Sequence, residues 1–256
     1  MISVGDFKIT RIEEMVLAEP TALFTEWKFI QPHFLVTLYE LQSVDGYWFI
    51  AMELVEGRGL DEVLSEARRL GTPIPPTRAA RWGASLARAL QSAHDQGIIH
   101  RDVKPSNIRI TTPEPGAGPD GRAMLLDFGL ARDLTETASR GASGLTQSFV
   151  GTPSYCAPEQ VGRGGGQVDG RTDVYSLGAV LYEALSGRKV VDGDSLEQAL
   201  VSILTDDPPP LRRIAPDVPR DLSVVVMKAL EKDPSRRYPS AADLAADLEA
   251  VLELRP

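Results

Sequence analysis

Apolar positions along the first fifth of the chain come in short β-branched runs, and after Gly57 they change to a helical period. Residues 7–12 form one such run, and 35–41 and 47–55 form two more, separated by Gln42-Ser43-Val44-Asp45-Gly46. Asp-Gly between two β-rich runs predicts a hairpin, because the pair tolerates the positive φ angles of a tight turn. A short helix with Pro20 in its first turn fits between the first two runs. In 61–70, Val63, Leu64, Ala67 and Leu70 share one face, and Gly71 stops the helix. Thr77 is placed to cap a long helix to about Gln96, striped by Trp82, Leu86, Leu90 and Ala93, with Gly97 past its end. Segment 172–185 is apolar almost throughout, which predicts a helix buried on most sides and ended by Gly187. Ser195-Leu196-Glu197-Gln198 has capping-box form, and Pro208-Pro209-Pro210 ends the helix it opens. Two further helices are predicted over 221–231 and 240–254. Between 98 and 170 lie short strands and loops rich in Gly, Pro, Ser and Thr, a length that compact domains usually give to function. No internal repeat is present. The pattern predicts a small β-rich N-terminal part and a larger helical C-terminal part, joined near 53–59.

Composition narrows the function classes. With 256 residues, 43% of them hydrophobic, the chain can build a sizeable core. A net charge of -9 argues against non-specific nucleic-acid binding. The single cysteine, Cys156, excludes a disulfide framework and a Cys-based zinc site, and fits a reducing cytoplasm. Three histidines leave little material for a metal cluster. No run reaches the roughly 18 apolar residues that suggest a membrane span, and residues 1–10, with Asp6 and Lys8, lack a signal-peptide core.

Two segments carry chemistry. His100-Arg101-Asp102-Val103-Lys104-Pro105-Ser106-Asn107 follows the short apolar pair Ile98-Ile99 and packs an acid, a base and an amide into one loop. Phosphoryl transfer needs a carboxylate to orient the attacking hydroxyl, a cation to neutralise the γ-phosphate and an oxygen ligand for Mg²⁺. Asp102, Lys104 and Asn107 can supply these roles in that order. In Leu125-Leu126-Asp127-Phe128-Gly129-Leu130 a strand ends at an aspartate, a natural ligand for the Mg²⁺ of Mg²⁺-ATP, and Gly129 lets the chain turn sharply.

His-Arg-Asp-x-Lys-Pro-x-Asn followed by Asp-Phe-Gly, with Asp127 20 positions after Asn107, resembles the eukaryotic-like protein kinases. Three more segments match in order. Gly151-Thr152-Pro153-Ser154-Tyr155-Cys156-Ala157-Pro158-Glu159 is similar to the end of a kinase activation segment. Asp173-Val174-Tyr175-Ser176-Leu177-Gly178 is similar to the start of the central buried helix. Asp233-Pro234-Ser235-Arg236-Arg237-Tyr238 is similar to the loop whose arginine pairs with the glutamate of Ala-Pro-Glu, which implies a pair between Arg237 and Glu159. Lys104 places the likeness in the Ser/Thr class, and Asp-Val-Lys-Pro-Ser-Asn with Ala-Pro-Glu-Gln is worded like the bacterial branch.

The resemblance implies an α+β, bilobal fold: a small, incomplete β-rich lobe and hinge over 1–56 and a mainly helical lobe over 57–256. It implies a Ser/Thr protein kinase that uses ATP and Mg²⁺ on protein substrates bearing Ser or Thr. Asn107 and Asp127 are then the Mg²⁺ ligands, Met52 the gatekeeper, and the backbone of Glu53 and Val55 the groups that meet the adenine edge. Thr152 is expected against Asp102 and Lys104, and Thr146 and Ser148 are the candidate phosphosites, with Arg101 placed to pair with such a phosphate. His94 and His100 read as scaffold, Cys156 as a small packing residue, and Trp27, Trp48 and Trp82 as core or interface bulk.

The sequence also departs from the family. Only Gly5 and Gly46 precede Met52, so no Gly-rich phosphate loop is found there, and the first two strands of the lobe are expected to be absent. Such a lobe exposes an apolar edge, which predicts dimerisation or aggregation. The one G-x-G-x-x-G match, Gly116 to Gly121, reads as a turn, since it contains Pro119 and Asp120. Lys8 is either the strand lysine that reaches the ATP phosphates or an exposed strand lysine, and Glu19 and Glu26 flank the expected place of its partner without filling it. Arg109 stands where an apolar residue usually lies under the adenine; it can snorkel outward, stack on the base or disturb the pocket. Three readings stay open: an active kinase, a catalytically weak or inactive kinase-like binding module, and a kinase begun at an internal methionine.

Overall fold

The Asp-Gly hairpin forms, but later along the chain than the apolar run alone suggests. The computed structural model describes residues 2–4, 7–9, 38–44, 47–52, 54–112, 120–126, 153–161, 168–191 and 195–253, with side chains from Leu54 onward. Strand β1 (Ile2–Val4) pairs antiparallel with β2 (Phe7–Ile9), and Lys8 stands opposite Ser3. Strand β3 (Leu38–Val44) pairs antiparallel with β4 (Tyr47–Met52), from Leu38 opposite Met52 to Val44 opposite Tyr47. Gln42, Ser43 and Val44, read from sequence as part of the connection, are ladder partners, which leaves only Asp45-Gly46 between the strands. The helix expected at Pro20, together with Glu19, Glu26 and Trp27, lies outside the described residues.

A third sheet lies at the joint. Strands β5 (Gly57–Gly59), β6 (Ile108–Thr111) and β7 (Ala123–Leu125) run antiparallel in that order. Strand β5 has no apolar pattern of its own and takes its conformation from β6. Gly57 has φ 145°, and a Cβ there would lie 2.2 Å from the Ile110 carbonyl oxygen. Gly57→Ala is therefore expected to cost about 1–3 kcal/mol for the backbone conformation, with the clash on top. Gly71→Ala carries only the conformational cost, since φ is 66° but a Cβ would meet nothing within 4 Å. Urea unfolding compares them, and a Gly57→Ala variant as stable as Gly71→Ala contradicts this account.

The helices follow their periodicity closely. Helix α1 (Leu60–Leu70) closes on Gly71, whose left-handed conformation returns its N–H to the Ala67 and Arg68 carbonyls. Helix α2 (Pro76–His94) begins one residue before Thr77, which lies inside the first turn and does not cap it. Pro76 at the first helical position explains the shift, because its fixed φ suits a helix start and it needs no N–H partner. Helix α3 (Gly170–Ser186) is buried without interruption from Thr172 to Leu185, and Asp169 caps it by accepting from Arg171 N at 2.9 Å. Ser195 caps α4 (Leu196–Thr205), its hydroxyl accepting from Gln198 N at 3.2 Å. The single turn α5 (Leu211–Ile214) follows the three prolines, and α6 (Arg220–Ala229) and α7 (Ala241–Glu253) complete the lobe.

Helix α3 is the axis of this lobe, packed against α2, α6 and α7. Leu86 and Leu90 of α2, Leu177 and Leu181 of α3, and Leu248 of α7 belong to one buried cluster. A second cluster joins Cys156 and Val161 to Ala199, Leu200 and Ile203 of α4, so Cys156 is the packing residue expected. The Gly116 to Gly121 match ends in a pinned turn: Asp120 accepts from Arg78 Nε at 2.7 Å and from Arg81, and its carbonyl accepts from Trp82 Nε1 at 3.2 Å. Burial pushes the Asp120 carboxyl up, and the two guanidinium groups outweigh it and hold the carboxyl below its usual range. Arg78, Arg81 and Trp82 thus anchor Asp120, while Gly116 to Pro119 lie outside the described residues. Among the described residues no helix is long and apolar enough to cross a membrane.

Candidate active site

The loop 100–107 is held from behind by one carboxylate. Asp173, fully buried in the first turn of α3, accepts from His100 N and Arg101 N at 2.8 Å each, and His94 Nε2 lies 2.8 Å from the same carboxylate. A buried carboxylate must find donors, and these are backbone donors of a distant loop. The sequence placed His94 against the loop but did not single out Asp173 as its anchor. A charge at the start of the apolar run 172–185, which carries one other at Glu183, was the available signal.

The histidine in the loop is fixed in one tautomer. The Leu126 carbonyl takes a hydrogen bond from His100 Nε2 at 2.9 Å, which leaves Nδ1 as the acceptor facing Asp102 N at 3.3 Å. Arg101, between them, adopts a left-handed φ of 63°, rare for a residue with a side chain. The surroundings over-determine it, with its N–H on Asp173 and its carbonyl accepting from Gln160 Nε2 at 2.9 Å.

This scaffold brings three of the expected residues together. Asp102 Oδ2 accepts from Lys104 Nζ at 2.7 Å and from Asn107 Nδ2 at 3.0 Å. Asn107 Nδ2 also donates to the Asp102 carbonyl at 2.9 Å, which closes the 3-10 turn Pro105–Asn107 back on the aspartate. With its N–H donors spent on Asp102, the Asn107 amide presents its oxygen as the remaining group, a hard donor of the kind Mg²⁺ takes. Both Asp102 and Lys104 side chains stay partly open to solvent, at 24% and 22%. Asp127 lies outside the described residues. Its neighbour Leu126 donates its N–H to the Asn107 carbonyl at 2.8 Å, so the strand that leads to Asp127 is tied to the same loop.

The other expected residues divide. Val55 is buried at the joint, Met52 ends β4 and Lys8 is the middle residue of β2. Glu53, Thr146, Ser148 and Thr152 lie outside the described residues. Arg109 sits in β6 between buried Ile108 and Ile110, so alternation turns it to the sheet face away from the helical core. The described residues hold no group of three or more His, Cys, Asp or Glu placed to bind a metal.

The pair implied between Glu159 and Arg237 forms, and it is nearly inaccessible, at 4% and 0% exposure. Arg237 Nη1 donates to Glu159 Oε1 at 2.7 Å and Nη2 to Oε2 at 2.8 Å. The remaining donors reach the carbonyls of Glu231 at 2.6 Å, Arg171 at 3.0 Å and Lys232 at 2.9 Å. All five guanidinium N–H groups are thus satisfied, and the cation also lies 4.9 Å from the Tyr175 ring centroid. Thr172 Oγ1 adds a bond to Glu159 Oε1 at 2.8 Å. Burial pushes the Glu159 carboxyl up, and Arg237 outweighs this and holds it below its usual range.

A family model of the protein kinase domain matches residues 7–247. The chain is 42% identical over 206 residues to the serine/threonine-protein kinase PknB of Mycolicibacterium smegmatis, a match that covers 80% of this chain and 30% of that protein. It is 37% identical over 213 residues to the serine/threonine-protein kinase pkn3 of Myxococcus xanthus, covering 82% of this chain and 37% of that one. The fold is similar to the crystal structure of the Mycobacterium tuberculosis PknI kinase domain, with a TM-score of 0.63 and 28% identity over 88% of this chain and 74% of that one. The chain spans about a third of the length of these curated relatives.

Proposed function

Because the chain belongs to the protein kinase domain family, we propose that it transfers the γ-phosphoryl group of ATP to Ser and Thr hydroxyls of proteins. The domain divides into 1–56, lobe and hinge, and 57–256, the helical lobe. The observation that carries this reading is the shared grip of Lys104 and Asn107 on one oxygen of Asp102. It directs the other oxygen, Oδ1, toward an acceptor hydroxyl, which Asp102 orients and whose proton it receives. Lys104 adds positive charge where the transferred phosphoryl group passes. Asn107 and Asp127 would hold Mg²⁺, which neutralises phosphate charge when bound. The adenine edge meets the backbone of Glu53 and Val55 beside Met52, Arg109 faces the base from β6, and Lys8 reaches the phosphates. Thr146 and Ser148 are the residues that would carry an activating phosphate, and the Thr152 hydroxyl would sit against Asp102 and Lys104.

A second reading, a kinase-like binding module, is favoured by Arg109, a cation in β6 at the position where the family usually has an apolar residue under the adenine. Calorimetric titration with ATP, with and without Mg²⁺, separates the two. The kinase reading expects Mg²⁺-dependent binding in the micromolar range, with label from γ-labelled ATP appearing on Ser or Thr. No binding in either condition overturns it in favour of the module.

A further inference from the structure

Gln160 follows Glu159 directly, yet the two side chains serve different parts of the lobe. Both belong to the 3-10 turn Pro158–Gln160. Glu159 faces Arg237 and Thr172, as described. Gln160 turns the other way. Its Oε1 accepts from Ala157 N at 3.0 Å and from Cys156 Sγ at 3.3 Å, which fixes the amide in one orientation. Its Nε2 then points out of the turn and donates to the Arg101 carbonyl at 2.9 Å, 59 residues away in sequence.

That carbonyl belongs to the peptide bond between Arg101 and Asp102. On the other side of the same peptide, Asp102 N meets His100 Nδ1 at 3.3 Å, a long and weak bond. Among the described residues Gln160 therefore provides a stronger hold on this peptide plane than His100 does. The plane follows a residue in a left-handed conformation, and its rotation would swing Asp102 relative to Lys104 and Asn107. Glutamine is the residue that can do this, because it offers an acceptor to its own turn and a donor to the loop at once.

We propose that Gln160 is a positioning residue, which locks the Arg101–Asp102 peptide and so couples the seating of segment 153–161 to the aim of the Asp102 carboxylate. For catalysis the proposal rests on the phosphoryl-transfer reading; for the peptide lock it does not.

Gln160→Glu keeps the size and the acceptor but sets an oxygen against the Arg101 carbonyl, and Gln160→Met keeps only the size. Two readouts are taken on the full chain. By NMR hydrogen exchange, both variants are expected to free the Asp102 amide at least about tenfold, as loss of a local lock allows, while α3 amides keep wild-type protection. In ADP formation, kcat per nucleotide site titrated in the same sample is expected to fall about tenfold or more, the cost of a small misplacement, with KM for ATP unchanged. Exchange at Asp102 that matches wild type in both variants overturns the lock. Freed exchange with wild-type kcat overturns the coupling to Asp102. A wild-type chain that forms no ADP overturns the kinase reading instead, and exchange alone then decides the lock. Exchange that rises equally in α3 marks general destabilisation and overturns the positioning role.

Discussion

Replacing Arg237 with alanine is expected to destabilise the protein by about 3–5 kcal/mol, the range for breaking a buried ion pair from one side. The change leaves the Glu159 carboxylate buried with the Thr172 hydroxyl as its only side-chain partner among the described residues, and it strips a donor from the carbonyls of Glu231, Arg171 and Lys232. Those three carbonyls also set what a double variant can recover. Glu159→Met with Arg237→Leu removes both charges and ordinarily comes near neutrality, but here the donor lost to each of these carbonyls keeps it below wild type. Urea unfolding measures all of them. The pH dependence has a definite sign. The folded Glu159 carboxyl lies below its unfolded value, near 4.3 for a free glutamate, so the pair's contribution is complete above that pH. It is lost as pH falls through the lower folded value. The gap between wild type and Arg237→Ala should therefore narrow on acidification and stay constant from pH 6 to 8. A gap of under 1 kcal/mol at neutral pH would refute the role of the pair.

Much of this lobe was legible because its signals are local. Helix α1 has a one-sided apolar stripe and a glycine to end it, and α3 has an unbroken apolar run with Gly187 beyond it. The loop 100–107 and the pair of Glu159 with Arg237 were legible as motifs, since their order along the chain is preserved even where their contacts are long-range. What escaped is set by partners far away in sequence. Strand β5 is three residues, Gly57, Arg58 and Gly59, with no periodicity to read; it is a strand because β6 offers an edge. Helix α5 is one turn beyond three prolines, too short for a period of its own. The start of α2 was misplaced because Thr77 is a good cap residue, while Pro76 is a better first helical residue. Asp173 and Gln160 carry no local mark of what they hold. Each is defined by backbone groups of the loop, 72 or 73 residues from the first and 59 from the second.

Asp102→Asn is expected to lower kcat for phosphoryl transfer by about 10²–10⁴-fold, the usual contribution of a positioned acid or base, while Mg²⁺-ATP binds nearly as before. The substitution keeps the shape of the side chain and changes what it can accept. In the wild type Oδ2 is occupied by Lys104 Nζ at 2.7 Å and Asn107 Nδ2 at 3.0 Å, and among the described residues Oδ1 is the oxygen left for a hydroxyl. An asparagine has one oxygen for these two duties. If that oxygen stays with Lys104 and Asn107, an NH₂ group faces the acceptor hydroxyl and can take no proton from it. If the amide turns over, its NH₂ meets the Lys104 ammonium and the Asn107 NH₂, donors against donors, and the loop loses its closure. Either way the negative charge that holds Lys104 is gone. This coupling makes the effects non-additive: Lys104→Met alone should slow transfer, but adding it to Asp102→Asn should cost little more, because the two act as a unit. ADP formation measured in the four variants of this cycle tests the geometry. Equal rates for wild type and Asp102→Asn would remove Asp102 from the reaction, and fully additive losses would show that its bond to Lys104 carries none of the effect.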